Sequence, residues 1–276
     1  MKNIYITDLD HTFLRSDLSL SDYTKKIWNS YADEAILSVA TARTYRKTMQ
    51  FLDGVEINAP MILLDGALIA TVDKKIIDTK FLSKEVTDRI IKEGGALDIY
   101  PFVLALEQKE YLSEVFLYPS QCNQYQVDIL KRYVKEDNLQ KQHNIRAMEH
   151  NFKVVYMDKK EKLELLQARL QKIFGDSMKY ILAPEVYLGC YFLTLLHKDA
   201  NKANGIKTIA KYSNFDVKNL SVFGDNFNDI EMFALAGKSI AVANAQDGVK
   251  AKASKVLKWS NDEDGVAKYL EQLREY

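Results

Sequence analysis

Short apolar runs alternate with helical segments in the first 80 residues of this sequence and again after residue 200. Residues 4–7, 35–40 and 61–64 are apolar runs, with a helix capped by Ser21 and a second helix from Thr44 to Leu52 between them. A helix through 206–212 and apolar runs at 220–223 and 240–242 follow later. Strands that alternate with helices are typical of a parallel α/β sheet. We therefore predict an α/β protein with a Rossmann-like parallel-sheet core.

The pattern changes between residues 67 and 80, where the sequence predicts a two-stranded hairpin that turns at Asp73-Lys74. The following stretch mixes helices near 83–93, 121–135 and 159–174 with strand-like segments at 97–108 and 110–118, and strands near 178–182 and 187–195 follow. Adjacent strands with helices are typical of an α+β unit. We predict a core formed by residues 1–82 and 188–276, and an inserted α+β domain at 83–187.

Composition indicates which kinds of binding partner and which cellular compartment to expect. Lys plus Arg and Asp plus Glu both total 38, so the net charge is zero and no global field would attract nucleic acid or an anionic membrane. No apolar run has the length of a membrane span, and the first residues do not resemble a signal peptide. The two cysteines, Cys122 and Cys190, are far apart and suggest neither a disulfide framework nor a zinc site. We expect a cytoplasmic protein that binds a small molecule, with a monomer as the default state.

Polar residues follow the apolar runs at the points where the predicted strands end. In an open parallel sheet, ligands bind beyond the carboxyl ends of the strands, so these residues are the candidates for a site. The chain supplies Asp8 and Asp10 after the first run, Thr41 and Arg43 after the second, Lys202 at a helix start, and Asp225 and Asp229 in GDNFND.

Four acids in one crevice would repel one another unless a cation held them. Mg²⁺ suits oxygen ligands and leaves positions for water and a substrate phosphate. Lys202 and Thr41 would then bind phosphate oxygens, as a charge and as a hydrogen-bond donor. Asp8 can act as the nucleophile of phosphoryl transfer, because carboxylates form aspartyl-phosphates. Asp10 lies two residues on and can serve as general acid and base.

These residues resemble a known family. DLDHTFL, the Thr41 site, Lys202 and GDNFND are similar to the four ordered motifs of the haloacid dehalogenase superfamily of phosphatases. Segments 241–253 and 260–270 resemble the Cof-like hydrolases of subclass IIB, whose cap lies between the second and third motifs. The resemblance covers residues 1–80 and about 190–276, and the middle matches only in position and layout.

The resemblance assigns a role to each matching residue. It implies Asp8 as nucleophile, Asp10 as general acid and base, and Thr12 as a brace of the first loop. It further implies Mg²⁺ ligands and phosphate ligands. The metal would be bound by Asp8, the backbone carbonyl of Asp10, Asp225 and, directly or through water, Asp229; the phosphate would be held by Thr41, Lys202 and Asn228.

The sequence departs from the family at two positions. His11 stands where the family usually has Gly, and because the position contributes mainly backbone and His tolerates unusual φ, we expect no effect on catalysis. Asp65 stands where Asn is frequent, close to the expected phosphate or leaving group, so it would alter substrate preference. Arg43 is either a substrate contact or an ordinary residue at a helix start.

The predicted function is a Mg²⁺-dependent phosphatase that hydrolyses a small phosphomonoester through an aspartyl-phosphate on Asp8, with the inserted domain closing over the site. A sugar phosphate is the leading substrate class, with a nucleotide- or cofactor-derived phosphate behind it. A phosphotransferase or mutase on the same scaffold is an enzymatic alternative. A phospho-accepting receiver module is a non-enzymatic one, although a receiver needs no insertion as large as 83–187.

The local patterns also have simpler explanations. Asp and Thr are common turn residues, and Asp229 can favour a helix start without binding anything. Lys198 and Lys207 lie close to Lys202 in the sequence and compete with it for the role of phosphate ligand. The order of all these segments along the chain, each after an apolar run, favours a site.

Overall fold

The computed structural model describes residues 2–109, 112–133, 138–185 and 188–274. The chain divides into two compact units, which we call the core unit (Met1–Thr79 and Asn201–Tyr276) and the inserted unit (Lys80–Ala200). The first division falls close to the predicted boundary after residue 82. The predicted second boundary at 187 is wrong, since residues as far as Ala200 belong to the inserted unit; residues 186 and 187 themselves lie outside the described part of the chain.

The first half of the core unit follows the predicted alternation. Its elements are β1 (Asn3–Thr7), α1 (Asp22–Asn29), β2 (Ala35–Val39), α2 (Tyr45–Phe51), β3 (Met61–Leu63), β4 (Leu68–Ala70) and β5 (Ile76–Thr79). The hydroxyl of Ser21 accepts the backbone N–H of Thr24 at 3.0 Å, which confirms the predicted cap of α1. The hydroxyl of Thr44 caps α2 in the same way.

The inserted unit is built on a six-stranded sheet. Its elements are α3 (Lys84–Gly95), β6 (Phe102–Gln108), β7 (Ser113–Pro119), α4 (Gln124–Tyr133), β8 (Leu139–Gln142), β9 (Asn151–Asp158), α5 (Lys160–Phe174), β10 (Met178–Glu185) and β11 (Cys190–His197). The strand order is β10-β11-β9-β6-β7-β8, antiparallel except for the parallel pair β7 and β8.

Strand β11 explains the misplaced boundary. It pairs antiparallel with β10 on one side and with β9 on the other, so it lies inside the six-stranded sheet. The sequence analysis predicted β10 and β11 but did not predict β8 or β9. β9 is one of the two strands that pair with β11. Because the sequence analysis did not predict β9, it gave no reason to assign residues after 187 to the inserted unit.

The chain then returns to the core unit through α6 (Lys202–Ser213), β12 (Leu220–Gly224), α7 (Ile230–Leu235), β13 (Lys238–Ala241), α8 (Asp247–Lys250), β14 (Lys255–Val256) and α9 (Gly265–Arg274). A five-stranded parallel sheet has the order β14-β13-β12-β1-β2. β1 therefore lies between a strand from each half of the core unit. Residues Ile4–Thr7 are all buried, as expected of a parallel strand covered on both faces.

β3 differs from the prediction of a third strand in the parallel sheet. It pairs antiparallel with β4, which pairs with β5, and these three strands form a separate sheet. A single parallel bridge between Ala40 and Ile62 connects this region to the end of β2. The predicted hairpin is confirmed, and Lys74 has a φ of 68° at its turn.

Among the described residues, no helix combines the length and the apolar content that crossing a membrane requires.

Candidate active site

The loop after β1 is bent by one left-handed residue. The N–H of Asp8 still donates to the carbonyl of Phe223 at 2.9 Å, as a continuation of the sheet. Residues Leu9–Phe13 then form a wide turn, closed by a hydrogen bond from the N–H of Leu14 to the carbonyl of Leu9, in which His11 has φ 56° and ψ 11°. The side chain of Asn244 donates to the His11 carbonyl at 2.7 Å. His11 thus contributes a backbone conformation and a carbonyl, in a region of φ that His adopts more readily than bulky apolar residues.

Thr12 connects this loop to β12. Its hydroxyl donates to Oδ1 of Asp225 at 3.0 Å, and the side chain of Thr12 is buried. The first loop is therefore attached to the loop after β12, which is the neighbouring strand in the parallel sheet. The sequence-based role of Thr12 as a brace matches this contact.

Asp8 presents one occupied and one free carboxylate oxygen. Oδ1 accepts a hydrogen bond from Nζ of Lys202 at 2.6 Å, whereas Oδ2 has no hydrogen-bond partner among the described residues. Only 6% of Asp8 is exposed. Burial raises the pKa of the Asp8 carboxyl well above its usual range; Lys202 opposes this rise, and the carboxylates of Asp229 and Asp225 add to it.

Lys202 is enclosed by carboxylates at the start of α6. Its Nζ donates to Asp8 and to Oδ1 of Asp229, both at 2.6 Å, and the residue is 1% exposed. Burial alone would lower the pKa of this ammonium, but the carboxylates of Asp229 and Asp8 outweigh it, so the pKa lies above its ordinary value. Lys198 and Lys207 are exposed, and Lys207 donates to Asn204. The geometry therefore favours Lys202 over its neighbours.

Asp225 and Asp229 follow β12. Both oxygens of Asp229 are engaged, because Oδ1 accepts from Lys202 and Oδ2 accepts the N–H groups of Asp225 and Asn226 at 2.9 and 3.0 Å. Gly224 allows this close approach, since a Cβ there would lie 2.5 Å from Oδ2 of Asp229. Burial, followed by the Asp229 carboxylate, raises the pKa of Asp225 to about 6.

Asp8, Asp225 and Asp229 form a candidate cation site. Each offers a carboxylate oxygen, and these atoms all lie within 4.8 Å of one another. The ammonium of Lys202 contacts two of these three buried carboxylates, Asp8 and Asp229, so the cluster carries excess negative charge when all three are ionised. An all-oxygen donor set with unbalanced charge fits a hard divalent cation.

Asp10 has a different environment from Asp8, although only Leu9 separates them. Its side chain is 34% exposed, and both oxygens accept from the guanidinium of Arg43. Nε of Arg43 lies 2.7 Å from Oδ2, and Nη2 contacts Oδ1. The guanidinium also lies over the ring of Phe51, 4.4 Å from its centroid. Arg43 thus binds a predicted catalytic residue, which the sequence analysis did not anticipate.

Thr41, Asp65 and Asn228 are also brought to this edge of the sheet. Thr41 is fully buried; its hydroxyl accepts the N–H of Arg43 at 3.2 Å and its carbonyl accepts the N–H of Asp65 at 2.9 Å. Asp65 has a φ of 54° and accepts a hydrogen bond from the side-chain amide of Asn228 at 3.1 Å. Asp65 also contributes to the raised pKa of Lys202.

The loop that carries Asp65 depends on a glycine. Gly66 has a φ of 90°, and a Cβ there would lie 2.3 Å from the carbonyl oxygen of Asn201. Because Asn201 caps α6 and directly precedes Lys202, this close approach keeps Asp65 near the lysine.

The structure gathers the predicted residues into two linked groups. One group surrounds Lys202, and the other surrounds the loop of Thr41. The first contains Asp8, Asp225 and Asp229; the second contains Asp10, Arg43, Asp65 and Asn228. Sequence reasoning missed the pairing of Arg43 with Asp10 and of Asn228 with Asp65. The available signal was their shared position after apolar runs, which indicates an edge of the sheet but not a partner.

Comparison with known proteins identifies the family to which this chain is similar. A family model described as haloacid dehalogenase-like hydrolase matches residues 5–270. The 5-amino-6-(5-phospho-D-ribitylamino)uracil phosphatase YwtE of Bacillus subtilis is 24% identical over 288 residues, covering 99% of this chain and 98% of the relative.

Solved structures share the fold. The crystal structure of TM0651 from Thermotoga maritima has a TM-score of 0.82 at 22% identity, covering 99% of this chain and 97% of that chain. The sugar phosphatase BT4131, described as a member of subclass IIB of the superfamily, has a TM-score of 0.75 at 17% identity, with both chains fully covered. The family match spans nearly the whole chain, and it follows that this protein belongs to the haloacid dehalogenase-like hydrolases, as a Cof-like phosphatase.

Proposed function

We propose that this phosphatase hydrolyses a small phosphomonoester through an aspartyl-phosphate on Asp8 and depends on Mg²⁺. The observation that carries the proposal is the state of the Asp8 carboxylate. Lys202 holds Oδ1, and Oδ2 is without a partner among the described residues, inside a buried cluster. A carboxylate that is fixed by one oxygen and free at the other is suited to attack a phosphorus atom.

Two displacements complete the reaction. In the first, Oδ2 of Asp8 attacks the phosphorus, the ester P–O bond breaks, and the Asp10 carboxyl gives its proton to the leaving oxygen. In the second, water attacks the phosphorus of the aspartyl-phosphate and passes a proton to Asp10, and the bond between phosphorus and Oδ2 of Asp8 breaks. Inorganic phosphate leaves, and both carboxyl groups return to their starting states.

Three side chains would bind the phosphoryl oxygens. Lys202 supplies a buried positive charge, Thr41 a hydroxyl proton and Asn228 an amide N–H. The assignment is supported by the contacts of Lys202 with Asp8 and of Asn228 with Asp65. These groups offset charge on the transferring group in a site that excludes much of the water.

The carboxylates of Asp8 and Asp225 each keep an oxygen without a hydrogen-bond partner among the described residues, so they are the first candidates for Mg²⁺ ligands. The backbone carbonyl of Asp10 would join them. Asp229 already uses both oxygens, so it would act directly or through a water while it anchors Lys202. When bound, the metal would neutralise negative charge on the carboxylates and the phosphate.

The proposed substrate is a small phosphorylated metabolite of the cytoplasm, with sugar phosphates as the leading class. A solved structure of the same fold is named a sugar phosphatase, and a relative is named for a phosphoribityl substrate. We assign the choice of substrate to the inserted unit.

A phosphomonoester panel, assayed with MgCl₂ and with a chelator, tests the proposal. We expect turnover that requires Mg²⁺ and a loss of at least roughly 10³-fold in kcat for Asp8→Asn, because the amide cannot act as nucleophile. Asp33→Asn, an exposed aspartate on the same unit, is the matched control and should retain wild-type activity. Full Mg²⁺-dependent activity in Asp8→Asn would overturn the mechanism.

Thermal unfolding gives an independent readout of the metal. Because the pKa of Asp225 is raised to about 6, its ionisation destabilises the metal-free fold as pH rises from about 4 through 6. Mg²⁺ binds the ionised carboxylates, so its stabilising effect should be larger at pH 7 than at pH 5. A shift of Tm by MgCl₂ that is absent, or equal at both pH values, would contradict this ligand set.

A further inference from the structure

We propose that Arg43 is a positioning residue for catalysis: it holds the Asp10 carboxylate in the single orientation from which it exchanges protons with the leaving oxygen and with water. The inference rests on the proposed function, because it acts through the acid–base role of Asp10. It replaces the two roles considered from sequence, a substrate contact and an ordinary helix-start residue.

The contact between the two side chains has fork geometry. Nε and Nη2 of Arg43 face the two oxygens of Asp10, at 2.7 Å for the Nε–Oδ2 pair. Two parallel hydrogen bonds fix the plane of a carboxylate, which one bond to a lysine cannot do. The side chain of Asp10 is 34% exposed and has no other partner among the described residues, so Arg43 alone fixes it.

Arg43 is itself held on three sides. Its guanidinium lies 4.4 Å from the centroid of the Phe51 ring, where cation–π attraction and packing restrict it. Its backbone N–H donates to the Thr41 hydroxyl at 3.2 Å, and its carbonyl accepts the N–H of Leu64 at 3.0 Å. The ring restricts the guanidinium and the two hydrogen bonds fix the backbone that carries it, so Arg43 can orient Asp10.

Direct binding of the substrate phosphate is the competing role for Arg43. The fork that would grip a phosphate is occupied by Asp10, which also neutralises the guanidinium charge. Lys202, by contrast, contacts the proposed nucleophile. The two roles differ in their dependence on the leaving group, since a phosphate ligand serves every ester equally and an acid does not.

Leaving-group chemistry therefore gives the decisive measurement. An alkoxide must receive a proton as the P–O bond breaks, whereas p-nitrophenolate departs without one. Loss of Asp10 orientation should lower kcat/KM, which reports the displacement that expels the leaving group, for an alkyl phosphomonoester that the wild type hydrolyses, with little effect on kcat/KM for p-nitrophenyl phosphate. The comparison uses kcat/KM because kcat also contains the second displacement, in which Asp10 acts as base for either substrate. A purely structural defect would lower both kcat/KM values together.

The experiment compares wild type, Arg43→Ala, Arg43→Lys, Asp10→Asn and the double variant Arg43→Ala/Asp10→Asn on both substrates. For the alkyl ester, we expect Arg43→Ala to lower kcat/KM about 10²-fold with KM changed less than about threefold. The loss of kcat/KM with p-nitrophenyl phosphate should stay within about fivefold. Arg43→Lys should not restore the rate, because an ammonium cannot hold both oxygens. In the Asp10→Asn background, replacing Arg43 by Ala should cause no further loss of kcat/KM.

Two further variants keep the test decisive. Arg46→Ala removes an exposed arginine of α2 and should behave as wild type. Phe51→Leu leaves both charged residues in place and removes only the ring, so it should show the same selectivity for the alkyl ester at smaller amplitude. If Arg43→Ala fails to fold, as judged by Tm, the Phe51→Leu result carries the test.

Three outcomes would overturn the inference: equal losses of kcat/KM on the two substrates, a KM raised tenfold or more, or additive losses of kcat/KM in the double variant. Asp8→Asn is included in the same assay. If it is inactive while Arg43→Ala shows no leaving-group selectivity, the positioning role fails and the proposed function stands. If Asp8→Asn is active, the proposed function fails.

Discussion

The two units of the molecule each bury a centre of charge, and the centres differ in their balance. In the core unit, the ammonium of Lys202 contacts the carboxylates of Asp8 and Asp229, and the carboxylate of Asp225 lies beside them. In the inserted unit, one buried carboxylate, Glu93 on α3, contacts two guanidinium groups. Arg89 lies 2.8 Å away on the same helix, and Arg169 reaches it from α5.

The difference separates a structural centre from a functional one. The negative charge of Glu93 is paired with two arginines whose side chains are half-exposed, so water hydrates and screens the surplus positive charge. The cluster around Lys202 has surplus negative charge on buried carboxylates, where water does not hydrate or screen it. Burial, followed by the neighbouring carboxylates, raises the pKa of Asp8 and Asp225. We propose that an external cation or substrate completes this centre.

Replacing the single cation of the core centre should have the largest effect. Lys202→Met keeps an unbranched side chain, one atom shorter, and removes the charge that faces Asp8 and Asp229. We expect kcat to fall roughly 10³-fold, because the buried positive charge that would offset negative charge on the transferring phosphoryl group is lost. The metal-free protein should lose about 3–5 kcal/mol of stability, since buried carboxylates remain without their partner.

Steady-state kinetics and denaturant unfolding, with and without MgCl₂, measure both effects. Lys207→Met, three positions beyond Asn204 on the same helix, is the matched control, because Lys207 is exposed. Activity within tenfold of wild type in Lys202→Met would show that the core centre does not need its internal cation.

Replacement of Glu93, the buried carboxylate of the inserted unit, should change stability and leave activity unchanged. Glu93→Gln leaves Arg89 and Arg169 without an anion, but both reach solvent, so we expect a loss of about 2 kcal/mol. Turnover per folded molecule and the Tm response to MgCl₂ should match wild type. Glu164→Gln, an exposed partner of Lys160 on α5, is the control and should change stability by less than about 0.5 kcal/mol. A Glu93→Gln variant that loses its Mg²⁺ response would contradict the distinction between the two centres.

The sequence predicted the core centre better than the inserted one, and the reason is physical. In a parallel sheet, residues that follow strands meet at one edge whatever the loops do, so Asp8, Thr41 and Asp225 could be placed from strand ends alone. Glu93 and Arg169 meet because two helices pack in a particular register, which no local pattern encodes.

Pairing between distant segments was also beyond local patterns. The strand-like character of β11 was visible, but its position between β10 and β9 depends on partners elsewhere in the chain, and this placed the second boundary at Ala200. The pairing of Arg43 with Asp10 is of the same kind, because a loop position predicts an edge of the sheet and side-chain packing selects the partner.

Asp65 belongs to the core unit, beside the centre around Lys202, and its replacement should have the smallest effect. Its Oδ1 accepts from Asn228, its Oδ2 has no partner among the described residues, and it adds to the negative charge near Lys202. Asp65→Asn preserves the shape and, through its carbonyl oxygen, the acceptor for Asn228. The left-handed φ of 54° is also one that Asn tolerates.

Removing this negative charge should strengthen binding of the phosphate group by about 1 kcal/mol, as expected for a nearby partly screened charge. We expect the inhibition constant for inorganic phosphate and the KM for phosphomonoesters to fall about fivefold together, with kcat within about threefold of wild type. Asp78→Asn in β5 serves as a control for removing a carboxylate elsewhere in the core unit. A KM that rises for hydroxylated substrates while phosphate inhibition strengthens would instead show that the Asp65 carboxylate accepts a hydrogen bond from the leaving group. Asp65 would then select the substrate from within the core unit.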